Sequence, residues 1–253
     1  MQVEKIIMKC FFTTSWDDGS IHDLKLAELL ARYSIKGTFY IPIKNLERND
    51  SLEPEQIKLI SELFEIGGHT YSHVVLPGVD DYTAKREIEE GKKALEDIIS
   101  KSVVTFCSPR GKFKKKHLEL IQYAGFKLVR TVGYLRTRNI VESYNNMSLL
   151  HTTFQFYPHK PLNYIISALK RNDREGCMHI GKNISNLTWH KFLRNIFREV
   201  ESSGGVFHLW GHSWELEEYS LWDELEDFLK YVRDCGDIQT LTNYEVYKEY
   251  ARR

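Results

Sequence analysis

The sequence predicts an α/β fold built on a mainly parallel sheet. Short runs of β-branched and aromatic residues alternate with segments whose apolar positions recur at helical spacing, and about ten to fifteen residues separate successive strands. Polar clusters follow several of these strands, where the chemistry of α/β proteins gathers. With 253 residues, 42% of them apolar, the chain can bury a full core. No Gly/Ser-rich or Pro-rich linker divides it, so residues 1–253 are expected to form one domain.

In chain order, Ile6 to Thr14 reads as a first buried strand. Leu24, Leu26, Leu29, Leu30 and Tyr33 then mark a helix, and Gly37 to Pro42 reads as a second strand stopped by proline. A helix is expected from about Pro54 to Gly67-Gly68, with Ile57, Ile60, Leu63 and Phe64 on one side. Ile88 to Ile99 reads as helix, Ser102 to Cys107 as strand, Leu118 to Tyr123 as helix and Phe126 to Thr131 as strand. Ser148 to Phe156 reads as extended without an obvious partner. A helix from Pro161 to Lys170 precedes a short strand near Met178 to Ile180, a helix over Leu187 to Ser202, a strand from Gly205 to Trp210 and an amphipathic helix from Leu221 to Val232.

Thirty-five basic residues balance thirty-five acidic ones, so no global field favours a nucleic acid or an anionic membrane. The cluster Arg110 and Lys112 to Lys116 reads as a solvated helix start. No eighteen-residue apolar segment occurs, and the N-terminal residues lack a signal-peptide pattern, so a cytoplasmic location is expected. The four cysteines, Cys10, Cys107, Cys177 and Cys235, are widely spaced and form no CxxC pair. Oligomeric state is not legible.

Two features carry chemistry. "TTSWDDG" (Thr13 to Gly19) sets two carboxylates side by side where a strand ends, a repulsive arrangement unless a cation or a helix cap uses it. "GGHTYSH" places His69 and His73 four residues apart, so a single coiled turn could aim both imidazoles at one ion. Each feature alone also has an ordinary reading as a cap or a turn. Two imidazoles and a carboxylate with open positions would make a catalytic rather than a structural metal site.

Together, "TSWDDG", "HTYSH", "SPRG" and the final "GHSWE" resemble the polysaccharide deacetylase family, the NodB-homology carbohydrate esterases. The resemblance implies a distorted, partly closed (β/α) barrel and a divalent metal, most commonly zinc. It also implies removal of acetyl groups from N- or O-acetylated sugars. By resemblance, Asp17 is the base, Asp18, His69 and His73 hold the metal, and His212 is the acid. His208 competes with His212, because both fall on one side of the alternating strand. Trp16, Pro109, Arg110, Gly111, Trp210 and Trp214 are the expected substrate-binding residues, with Tyr134, Tyr144 and Tyr157 as further groove candidates.

Two departures from the family pattern stand out. Cys107 occupies the position where the family carries an arginine that orients the catalytic Asp. The Asp motif that tunes the acid histidine has no counterpart, leaving Asp173 and Glu215 as candidate replacements. The expected partner is a small acetylated sugar or oligosaccharide. Two other readings stay open: a metal-dependent amidase acting on a small non-sugar amide or ring, and a catalytically silent sugar-binding protein.

Overall fold

The computed structural model describes residues 9–133, 135–138, 140–170 and 173–251. Its first half repeats strand and helix: β1 (Cys10–Asp17), α1 (Asp23–Arg32), β2 (Gly37–Ile41), α2 (Pro54–Ile60), β3 (Glu65–Gly68), α3 (Asp81–Ile99), β4 (Thr105–Cys107), α4 (Lys115–Tyr123) and β5 (Leu128–Arg130). Three short strands follow, β6 (Val141–Tyr144), β7 (Met147–Leu150) and β8 (Phe154–Gln155), then helices α5 (Pro161–Lys170), α6 (Arg174–Lys182) and α7 (Trp189–Ser203). The chain ends with β9 (Gly205–His212), α8 (Ser213–Glu218), α9 (Trp222–Asp234), β10 (Ile238–Leu241) and α10 (Asn243–Ala251).

The strands form one curled sheet in the order β6-β7-β5-β4-β3-β2-β1-β9-β8, with β10 beside the start of β1. All pairings are parallel except β6 with β7. This is the distorted, partly closed (β/α) barrel expected from the motif set. Register decides which residues share its carboxyl rim: Asp17 is the partner of both Tyr40 and His212, Gly68 pairs with Phe106, and Cys107 pairs with Arg130.

Local signals explain most elements. The α2 start carries a reciprocal capping box, Glu53 with Gln56, and Pro54 in its first turn. Asp80 caps α3 by accepting from the Thr83 N–H at 2.9 Å. Helix α7 turns Phe192, Leu193, Ile196, Phe197 and Val200 inward. There Phe12, Phe197, Phe207 and Phe228 form an aromatic cluster with ring centroids 5.4–6.2 Å apart.

Four expectations need correction. The helix from Pro54 ends at Ile60, and Glu65–Gly68 is strand β3. Long-range bonds hold it there: buried Glu65 accepts from Thr38 Oγ1 (3.0 Å), Thr105 Oγ1 (2.7 Å) and the Tyr244 N–H (3.0 Å). Met178 to Ile180 is the middle of α6, because Asp173 caps that helix at the Gly176 N–H. The extended run expected from Ser148 to Phe156 is split between β7 and β8, with β6 before it, and the short β10 and α10 had no periodic signal long enough to read. The start of the first strand at Ile6, and Tyr134, lie outside the described residues. Among the described residues no helix is long and apolar enough to cross a membrane.

Helix α3 sits close under the loop that carries the two histidines, and Gly91 makes that possible. A Cβ at Gly91 would lie 2.9 Å from the backbone carbon of Thr70 and the nitrogen of Tyr71. We therefore expect Gly91→Ala to lower stability by about 1–3 kcal/mol and to weaken divalent-metal binding. Gly181→Ala in α6 meets nothing within 4 Å and serves as the neutral or stabilising control. Thermal melts and zinc titration of both variants check this.

Candidate active site

Strand β1 delivers Asp17 and Asp18 to the rim, where both are buried, at 4% and 8% exposure. Asp18 has a left-handed backbone (φ 81°), followed by Gly19 at φ 62°. A Cβ on Gly19 would come within 2.9 Å of the Ile41 side chain, so the sharp turn requires glycine there. The turn points the two carboxylates at different partners.

Asp18 faces the histidines. Its Oδ1 lies 3.0 Å from His73 Nε2 and 3.4 Å from His69 Nε2. Thr70 and His73 are also left-handed (φ 61° and 58°), so the imidazoles meet across an irregular, bent segment rather than the helical turn expected from the four-residue spacing. His69 Nδ1 donates to the Cys107 carbonyl at 2.7 Å, which leaves Nε2 as the free lone pair. That Nε2 atom is buried without a hydrogen-bond partner. Ligand atoms of Asp18, His69 and His73 all lie within 4.8 Å of one another. One carboxylate and two imidazoles, with an orphaned nitrogen among them, fit a divalent ion. Burial pushes the Asp18 carboxyl up, but its contacts with the His69 and His73 imidazoles and the charge of His212 outweigh it and hold Asp18 far below the usual carboxylate range. Trp214 Nε1 donates to the other Asp18 oxygen at 2.9 Å.

Asp17 faces the opposite way, toward Arg130 and Cys107. Arg130 Nη2 donates to Asp17 Oδ1, and the Cys107 thiol lies 3.9 Å from Oδ2. Arg130 is fully buried between the rings of Trp210 (4.8 Å from the centroid) and Tyr40 (5.3 Å). Burial alone would lower its pKa, yet the Asp17 charge raises it above the ordinary arginine value. Burial pushes the Cys107 thiol well up, so it stays an S–H. A guanidinium thus reaches Asp17 from the neighbouring strand, at Cys107's register partner. The sequence did show the signal: Arg130 is the lone charge inside an apolar β-run after Lys127.

His212 ends β9 and directs Nδ1 to Glu215 Oε2 at 2.8 Å, with Nε2 3.9 Å from Asp18 Oδ2. Burial opposes protonation, but the Glu215 hydrogen bond and the Asp18, Glu215 and Asp17 charges raise its pKa to about 9. Gln155 Nε2 steadies Glu215 at 3.3 Å. Of the two carboxylates considered for tuning this histidine, Glu215 is adjacent. Asp173 instead caps α6 and pairs with Arg136 at 3.4 Å. His208 is not at the rim: it donates from Nδ1 to the His151 carbonyl (2.9 Å) and accepts from Ser15 Oγ (2.8 Å). Burial lowers its pKa to about 3, so it is a neutral core residue.

The expected substrate-binding residues divide. Trp214 and Trp210 are half-buried beside Asp18 and Arg130. Trp16 is fully buried and packs 3.0 Å from a Cβ position at Gly211, so its face is closed to a ligand. Pro109 is buried, while Arg110 is exposed, bonded to Glu47 at 2.7 Å and without contact to Asp17. Gly111 takes φ 63° beside Val132. Glu47, which had no signal of its own, also lies 3.5 Å from His73 Nδ1. Tyr157 meets Tyr219 edge to face (5.1 Å), and Tyr144 belongs to the far edge strand β6.

Residues 9–129 match the polysaccharide deacetylase family model. The resemblance carried by the motifs is thereby borne out. The matched segment contains Asp17, Asp18, His69 and His73 and stops one residue short of Arg130. A Bacillus cereus peptidoglycan-N-acetylglucosamine deacetylase is 30% identical over 133 residues, 52% of this chain and 54% of its own. The chain therefore spans about half the length of that curated relative. A Mycobacterium smegmatis protein described as a polysaccharide deacetylase shares the fold at a TM-score of 0.68 and 17% identity, covering 95% of this chain and 90% of that one. A CE4 family pseudoenzyme from Bacillus anthracis does so at 0.55 and 14% identity, covering 94% of this chain and 65% of its own. Since an active family and a pseudoenzyme share this fold, activity must be argued from the site.

Breaking a buried ion pair costs about 3–5 kcal/mol, chiefly because one charge is left unpaired. Arg130→Met should therefore destabilise the protein by about that amount, and Asp17→Asn in the same chain should restore part of the loss. A double-mutant cycle by chemical denaturation measures the coupling.

Proposed function

We propose that this protein is a metal-dependent deacetylase acting on an N-acetylated sugar or oligosaccharide. The observation that carries the reading is the separation of the adjacent carboxylates: Asp18 is held by two imidazoles, and Asp17 by a buried arginine. A divalent ion held by Asp18, His69 and His73, zinc by the family resemblance, would supply Lewis-acid polarisation of the acetyl carbonyl.

The remaining steps belong to the chain. Asp17 accepts the proton of the attacking water, and Arg130 fixes its carboxylate through Oδ1. The departing nitrogen would be an amide anion without a proton. His212, held by Glu215, whose hydrogen bond raises its pKa, supplies it. The Ser72 and Gly111 N–H groups are not free to hold the oxyanion, because Glu87 accepts from the first (2.7 Å) and the Ser108 carbonyl from the second (2.8 Å). The half-buried Trp214 and Trp210 offer aromatic faces for a sugar ring.

Acetate release from N-acetylated oligosaccharides should vanish on chelation and return with zinc. Asp17→Asn should lower kcat at least about 100-fold with zinc retained, whereas Asp18→Asn should lose the zinc. Silence with one zinc bound would favour the sugar-binding reading, and turnover only of small non-sugar amides would favour the amidase. Since Glu215 raises the His212 pKa, Glu215→Gln lowers it. The alkaline limb of the kcat profile should then move to lower pH, which a pH-rate series reads directly.

A further inference from the structure

Helix α5 departs from the pattern of its neighbours. Tyr164 and Ala168 face the core at 1% and 4% exposure, yet Leu162, Ile166 and Leu169 are 61%, 40% and 67% exposed. The second set recurs at helical spacing, so one helix is apolar on both its inner and its outer side. An apolar stripe left on the outer side of a surface helix marks a contact face for a protein or a membrane. The other long helices of the barrel keep polar outer faces.

Among the described side chains of residues 160–175, the exposed charges are basic. Its sequence, Pro161–Lys170, contains no acid. The two acids at the start of α6 are turned inward: Asp173 bonds the Gly176 N–H and pairs with Arg136, and Glu175 accepts from the N–H groups of Thr137 and Arg138. Lys160 and Arg174, at the two ends of α5, are exposed.

Helix α5 is also tied to the candidate active site. It begins two residues after His159, whose Nε2 bonds Gln155 Oε1 at 2.9 Å, and Gln155 in turn bonds Glu215 beneath His212. Its other end leads to Asp173 and Arg136, close to Thr137, whose carbonyl accepts from Val206 at the start of β9. The exposed stripe therefore runs along the flank of the barrel from the catalytic rim toward its base.

We propose that the outer face of α5, with Leu162, Ile166 and Leu169 flanked by Lys160 and Arg174, is an interfacial docking surface for an anionic lipid bilayer. An apolar stripe bounded by basic residues matches the acyl boundary and the anionic headgroups together. A second copy of this chain is a poorer occupant. A two-fold contact centred on the stripe would bring the flanking cations of both copies together. Such docking presents the catalytic rim to sugars carried at a lipid surface. It stands apart from the catalytic reading, because binding is measured without turnover.

The test is sedimentation of the full chain with phosphatidylcholine vesicles, with and without phosphatidylglycerol. Binding should require the anionic lipid and weaken with added salt. The combined substitutions Leu162→Ser, Ile166→Ser and Leu169→Ser should weaken it at least about tenfold, with the thermal melt preserved because all three side chains are exposed. Lys160→Gln with Arg174→Gln should weaken it too and provides a second variant should the first misfold. Absence of vesicle binding, binding unchanged in both variants, or a concentration-dependent dimer dissolved by the serine substitutions without vesicle binding would each overturn the proposal.

Discussion

Two carboxylates buried side by side at the end of a strand must each find a cation, and the rim of the barrel is arranged around that need. Asp17 and Asp18 are almost fully removed from water, where unpaired charges would cost several kcal/mol each. The backbone turn at Asp18 and Gly19 sends them apart. One meets a fixed guanidinium and the other meets imidazoles suited to share it with a metal. Opposite electrostatic solutions for adjacent residues of one type allow a division into proton acceptor and metal ligand.

The positioning of the cations follows from the parallel sheet. Strands β1, β2, β9, β3, β4 and β5 end nearly level, so residues far apart in sequence become neighbours through register. Register also explains how Arg130 can stand in for an arginine at Cys107. A cross-strand partner differs in position from its neighbour by only about one strand spacing, and a long side chain covers that distance. Cys107 then contributes through its backbone carbonyl, which orients His69, and through a thiol kept neutral by burial.

The acid side of the site is built with equal economy. His212 is the register partner of Asp17, and the helix that starts at Ser213 returns Glu215 to its Nδ1 within a single turn. The carboxylate that holds His212 thus comes from the same short segment as the histidine itself. His208, four residues earlier on the same strand, shows the contrast. Its two ring nitrogens are satisfied by a carbonyl and a hydroxyl, and burial keeps it neutral. Position along one strand, rather than residue type, separates a core histidine from a site histidine.

Local sequence determined a good deal. Alternating strand and helix patterns, the Asp-Asp-Gly turn and the histidine pair at a four-residue spacing marked an α/β fold and the Asp18, His69 and His73 cluster that could hold a metal, because periodicity, turn chemistry and ligand spacing are short-range properties. Only the tertiary structure could decide the rest. Arg130 looked like one polar residue in an ordinary strand until pairing with β4 set it beside Asp17. Glu65–Gly68 became a strand through bonds to three distant segments, and Met178 to Ile180 became helix through a cap and partners on α7 and the loop at Thr137. Trp16 and Trp214, equally suggestive in sequence, differ only in depth: one fills the core under Gly211, and the other bonds Asp18. Depth and register are long-range quantities, which single-chain patterns do not encode.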